Sequence, residues 1–95
     1  MIKVFLLDDH GLMRAGYRMM LEPHADIEVV GEASSGDEAL PMIRRLKPDV
    51  VLCDLQLAGD DDGMEVIDAT RRLQPDALAV LVSGATGPEI LQRLR

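Results

Sequence analysis

Tryptophan is absent from this 95-residue chain, and phenylalanine and tyrosine occur once each. A core so poor in aromatics has to be largely aliphatic, and six methionines are available as adaptable filler. The single cysteine, Cys53, excludes an internal disulfide and any zinc site built on a cysteine cluster. Positive charge is short as well: ten Lys and Arg stand against seventeen Asp and Glu, for a net charge of −7. That balance argues against nucleic acid or an anionic membrane as a direct partner of this segment, and leaves room for a cation or a basic protein. No apolar run approaches the ~20 residues of a membrane-spanning helix, and the first residues lack the shape of a signal peptide. The expected compartment is therefore the cytosol. Also missing are internal repeats, a linker, and the G-x-G-x-x-G, P-loop and G-x-S-x-G motifs. What is present is enough apolar material, 47% of residues, to fill the core of one small domain.

That material comes in short runs that end in acids. Asp49-Val50-Val51-Leu52-Cys53-Asp54 has four apolar residues and then a carboxylate. It is too short for a helix and too apolar for a strand with one wet face, so it reads as a strand covered on both faces. Cys53 within it reads as a small buried hydrophobe. Ile2-Lys3-Val4-Phe5-Leu6-Leu7, followed by Asp8-Asp9, repeats the pattern. Ile27 to Ala33 alternates in part and reads as an edge strand, and Ala77 to Val82 is a fourth apolar run ending at Ser83-Gly84.

Helical spacing separates the strands. Leu12 to Glu22 puts Leu12, Ala15, Met19 and Met20 on one side and Arg14 and Arg18 on the other, with Pro23 as the stop. Ser35-Gly36-Asp37-Glu38 fits a capping box for a second helix. That helix turns Ala39, Leu40, Ile43 and Leu46 inward, and Pro41 should kink or shorten it. Met64 to Leu73 is a third helix, with Val66, Ile67 and Thr70 or Leu73 inward and Asp62 as its cap. Pro88 suits the first turn of a last one. The alternation β-α-β-α-β-α-β-α predicts an α/β protein with a parallel sheet and helices on both faces. The flavodoxin-like strand order 2-1-3-4 makes the first and third strands neighbours at the switch point.

In that order Asp8, Asp9 and Asp54 converge on one crevice, with Ser83 one strand further along. Three ionised carboxylates repel one another, and a divalent cation resolves the conflict. An oxygen-only donor set suits Mg2+. The plainer alternative is that one acid caps the first helix and the others are solvated. With a cation in place, a free oxygen of Asp54 can act as a nucleophile toward phosphorus, and Ser83 can donate its hydroxyl to a phosphoryl oxygen. His10 reads as a polar residue at a helix entrance. The acidic run Asp60 to Asp62 lacks the spacing of a calcium loop.

These residues also carry a family resemblance over the whole chain. Leu7-Asp8-Asp9-His10 with Arg14-Ala15-Gly16 resembles the D-D-H-x-x-x-R-x-G opening of response-regulator receiver domains of the NarL/FixJ type. Val29-Val30-Gly31-Glu32-Ala33, then Gly36-x-Glu38-Ala39-Leu40, is similar to their second strand and helix. Pro48 to Leu55 resembles their phosphoacceptor strand. The resemblance implies that Asp54 accepts a phosphoryl group from a sensor histidine kinase. It implies Mg2+ held by Asp8, Asp9, Asp54 and the backbone carbonyl of Gln56, and Ser83 as the hydroxyl that senses the phosphoryl group. It implies a switch that assists its own phosphorylation and is not a metabolic enzyme, and that regulates transcription through an attached DNA-binding domain.

Departures from the pattern accompany it. Ala58 stands where the family's loop has Pro, and Gly63 comes one residue late. The chain stops before the family's fifth strand and helix, with their Lys and aromatic residue, and before the DNA-binding domain. A fourth strand without a neighbour would be an open apolar edge, so self-association is expected through it or through Ile90, Leu91 and Leu94. A phosphorylation-independent interaction fragment is accordingly the alternative reading. A phosphohydrolase with an Asp nucleophile would want an acid at position 56, where Gln56 stands.

Overall fold

The structure of the chain, a computed structural model, describes residues 1–8, 10–53, 63–73 and 78–81, of which 63–67 and 78–81 by their backbone alone. In chain order they form β1 (Ile2–Leu7), α1 (Gly11–Leu21), β2 (Ile27–Ala33), α2 (Gly36–Leu46), β3 (Val50–Cys53), α3 (Gly63–Leu73) and β4 (Leu78–Leu81). Every strand pair is parallel and the order is β2-β1-β3-β4. This is the flavodoxin-like order expected from the alternation, with β2 at an edge. The expected cap at Asp62 and the last helix opening at Pro88 lie outside the described residues.

The apolar runs are continuous because both sheet faces are covered. Successive side chains on a strand point to opposite faces. Val4 and Leu6 of β1 therefore join Val50 and Leu52 of β3 on one side, packed with Leu21 and Ile27. Phe5 and Leu7 join Val51 and Cys53 on the other, packed with Ala33, Ala39 and Ile43. Cys53 is fully buried, as a small hydrophobe. Asp49 begins the β1–β3 ladder by a double hold on Lys3. Its N–H donates to the Lys3 carbonyl at 2.8 Å, and its Oδ2 accepts the Lys3 N–H at 2.8 Å.

One glycine has a steric reason. The β1–β2 register shifts between Val4 and Phe5, so that Val4 pairs with Val29 but Phe5 with Gly31. A Cβ at Gly31 would stand 2.9 Å from Cδ1 of Leu46 and 3.0 Å from Cε2 of Phe5. The buried Phe5 ring occupies the space that a side chain would need.

The two N-terminal helices meet the expectations unequally. In α2, Ser35 caps as predicted, accepting the Glu38 N–H at 3.3 Å. The Glu38 carboxylate accepts the Ser34 hydroxyl at 2.6 Å, where a full capping box would return it to Ser35. Ala39 and Ile43 are buried and Leu40 and Leu46 half-buried. Pro41 does not shorten the helix, which runs 11 residues through it. Pro41 is the sixth of its eleven residues, where it removes one backbone bond while the helix continues on both sides. The helix ends at Lys47, in the left-handed conformation at φ 50°.

In α1 the predicted inward face holds for Met20 and fails for the other three residues. Leu12 is 87% exposed and Met19 76%, and Ala15 is exposed too. Leu21 is buried, and Tyr17 and Met20 pack beside it on the Val4–Leu6 face. The methionines lie on several sides of α1, so its apolar pattern offers two arcs. The position of Glu32 on β2 decides between them. Arg14 and Arg18, expected outward, are partly buried and carry their guanidinium groups to that carboxylate. In α3, Thr70 is fully buried and Leu73 half-buried, as predicted, while the side chains of Val66 and Ile67 lie outside the described set.

Candidate functional site

Leu7 pairs with Cys53, so the carboxyl ends of the two central strands finish level with each other. This is the place where open α/β sheets bind ligands. Asp8 is the next residue after Leu7, and Asp54 is the next residue after Cys53.

Asp8 is a fixed acid. Its side chain is 1% exposed. Burying a carboxylate is costly unless hydrogen bonds offset the lost hydration. Here Oδ1 accepts the His10 N–H at 2.8 Å and lies 3.2 Å from His10 Nδ1. The backbone of Asp8 is held from two further sides. Its N–H donates to the Ala33 carbonyl of β2 at 3.1 Å, and its carbonyl accepts from Nη1 of Arg14 on α1. One oxygen of Asp8 thus serves the entrance of α1, as in the plainer reading of the acids, and the same residue is buried at the strand end. His10 occupies the N-cap position without a side-chain cap bond, and its exposed ring turns back toward Asp8.

Glu32 organises this end of the sheet, and the sequence reading assigned it no role. It lies on β2 next to Ala33, the acceptor for the Asp8 N–H. Oε1 accepts from Nε of Arg14 at 3.1 Å, and Oε2 accepts from Nε of Arg18. The hydrogen bond from Arg18 is the main reason the Glu32 carboxyl is held below its ordinary range. Partial burial pushes the other way, and Arg14 adds to the lowering. Arg14 therefore links Glu32 to the Asp8 carbonyl and ties the acidic turn to the edge strand. The signal was legible in part: two arginines one helical turn apart, and an acid near the end of the neighbouring strand.

Of the expected site residues, Asp8 stands where the topology predicts. Asp9, Asp54, Gln56 and Ser83 lie outside the described residues, as does the acidic run at 60–62. Among the described residues no group of three or more His, Cys, Asp or Glu could hold a metal ion, and no helix is long and apolar enough to cross a membrane.

The family described as response regulator receiver domain matches residues 4–94. The response regulator GacA of Pseudomonas aeruginosa is 43% identical over 83 residues, which span 87% of this chain and 38% of that regulator. The transcriptional regulatory protein LiaR of Bacillus subtilis is 45% identical over 73 residues, 77% of this chain and 33% of LiaR. Among solved structures, the isolated REC domain of RcsB from Salmonella enterica serovar Typhimurium, determined with the phosphomimetic BeF3−, aligns with a TM-score of 0.80 at 28% identity. That alignment covers 96% of this chain and 67% of the RcsB chain. The response regulator domain of Thermotoga maritima CheB aligns with a TM-score of 0.76 at 26% identity, covering 98% and 72%. The chain thus spans less than two fifths of the length of GacA and LiaR.

Proposed function

The chain belongs to the receiver domains of two-component response regulators, of the NarL/FixJ type, and on that premise we propose that Asp54 accepts a phosphoryl group from a sensor histidine kinase. The observation that carries this reading is the level ending of β1 and β3, with buried Asp8 following one and Asp54 next in sequence to the other. In the proposed transfer, an oxygen of Asp54 forms a bond to phosphorus. The bond from phosphorus to the imidazole nitrogen of the kinase's phosphohistidine breaks, and its electron pair stays on that nitrogen. Mg2+ is the proposed cofactor, held by Asp8, Asp9, Asp54 and the Gln56 carbonyl. A buried acid at a strand end and an all-oxygen donor set fit that ion. When bound, Mg2+ offsets the charge gathering on the phosphoryl oxygens.

The chain's own part is to position and to sense. Asp8 is held by Ala33, His10 and Arg14, so its carboxylate meets the site with little reorganisation. Ser83 is proposed to donate its hydroxyl to the new phosphoryl group. The domain acts as a switch, assisting its own phosphorylation without turning over a metabolite, and it works in the cytoplasm. In a regulator that also carries a DNA-binding domain, the switch would regulate transcription through that domain.

A second reading has an observation of its own: β4 ends the described sheet and pairs there with β3 alone. A terminal strand of this kind can recruit another chain, so assembly without phosphorylation is the alternative. Incubation with acetyl phosphate and Mg2+, followed by intact mass, separates the two. The receiver reading expects one added phosphoryl mass, lost in Asp54→Asn. No uptake by the native chain would favour assembly, to be read by light scattering.

A further inference from the structure

A groove with a volume of about 460 Å3 lies between α2 and α3. Leu40 and Pro41 line it from α2, and Ala69 and Leu73 from α3. The rigid Pro41 ring and the single methyl of Ala69 cannot extend to fill the space between the helices. Each helix adds one arginine to the lining, Arg44 and Arg72, and both are exposed.

The charge pattern reverses that of the rest of the molecule. The chain carries −7 overall, yet the ionic groups lining this concavity are two guanidiniums. Among the described residues, neither Arg44 nor Arg72 has an ion-pair partner. Asp68 is one turn before Arg72 on α3, and Asp37 is near the start of α2. Both are exposed and neither lines the groove. The volume falls in the range of small-molecule sites, which combine an apolar lining with a few placed polar groups. A guanidinium is well suited to grip a carboxylate or phosphate.

We propose that this groove binds a small amphiphilic anion, with its apolar body on Leu40, Pro41, Ala69 and Leu73 and its acid group between Arg44 and Arg72. The site lies on helices α2 and α3, and it holds whether or not Asp54 is phosphorylated. It also gives Pro41, which conflicts with the helix it sits in, a place in the groove lining.

The test is a titration of the 15N-labelled chain with octanoate, followed by amide shifts, with octan-1-ol and inorganic phosphate as separate arms. Octanoate should move the amides of the lining residues in a saturable way, and more tightly than either control. Arg44→Gln and Arg72→Gln should each weaken binding roughly tenfold, the loss expected for one charge-assisted hydrogen bond. Arg45→Gln, one residue away on α2 and outside the groove, should leave it unchanged. Ala69→Phe should fill the space and abolish it. The spectrum of each variant reports whether its fold is kept. Four results would overturn the proposal: equal binding of octan-1-ol, unchanged affinity in both arginine variants, shifts centred on Leu12 and Met19 of α1, or groove shifts on dilution without any probe. The last would assign the groove to a second copy of the chain.

Discussion

Replacing Glu32 by Gln should destabilise the domain in a pH-dependent way, and the size of the effect follows from two hydrogen bonds. The native carboxylate accepts from Arg14 at 3.1 Å with one oxygen and from Arg18 with the other. Gln keeps the shape and one acceptor, but it turns an NH2 group toward a guanidinium that can only donate. One charge-assisted bond is lost and the other becomes a charged–neutral one. The side chain is 34% exposed, so water screens part of the gain. The net cost is about 1–2 kcal/mol at neutral pH. With a urea dependence of ~1–1.5 kcal/mol per molar for a small domain, the midpoint falls by about 1 M. The sign with pH is fixed by the direction of the shift. The folded carboxyl titrates below its ordinary value of 4.5, so its contribution is complete above that value and fades as pH falls through the folded one. Urea titrations of both proteins should therefore show a full gap near neutrality that closes in acid. Equal midpoints at neutral pH, or a gap that persists in acid, would refute the reasoning. The amides of Asp8 and His10 should also shift in the variant, because Arg14 holds the Asp8 carbonyl.

Gly31→Ala should cost about 1–3 kcal/mol by overpacking against Phe5 and Leu46, read as a lower urea midpoint with an unchanged slope. Lys47→Gly should raise stability by about 0.5–1 kcal/mol, since the left-handed helix end strains a residue with a Cβ. Thermal melts should show the gain directly. Ser35→Ala should cost about 1 kcal/mol, because the Glu38 N–H loses its cap, and helix content by circular dichroism should fall with heating before the global transition.

The strands were legible because burial on both faces writes itself as unbroken apolar runs. Val50 to Cys53 and Val4 to Leu7 needed no partner to be recognised, and the alternation of elements then fixed their order. Ser35 was equally plain, since a cap acts within four residues. What could not be read was whatever depends on a contact between elements. The face of α1 is the clearest instance. Met20 was placed correctly, but Leu12, Ala15 and Met19 flank it on one side as plausibly as Tyr17 and Leu21 do on the other, and Glu32, on another element, draws Arg14 and Arg18 to its own side. For the same reason the sequence placed Asp8 at a strand end but not the three residues that hold it. Pro41 failed differently. A propensity rule was applied to a helix whose packing of Ala39 and Ile43 outweighs one missing hydrogen bond.

The position of β1 has a consequence for synthesis. It precedes both of its sheet neighbours in the chain, and Asp49, which fastens it to β3, is 46 residues away. At ~5–20 residues per second this leaves roughly 2–10 s between the appearance of Lys3 and that of Asp49. For that time Val4 to Leu7, buried in the finished domain, can pair only with β2, and its edge toward β3 stays open. An apolar segment therefore waits half-paired on the nascent chain, and a holding chaperone would find a ligand in Val4 to Leu7 before β3 arrives.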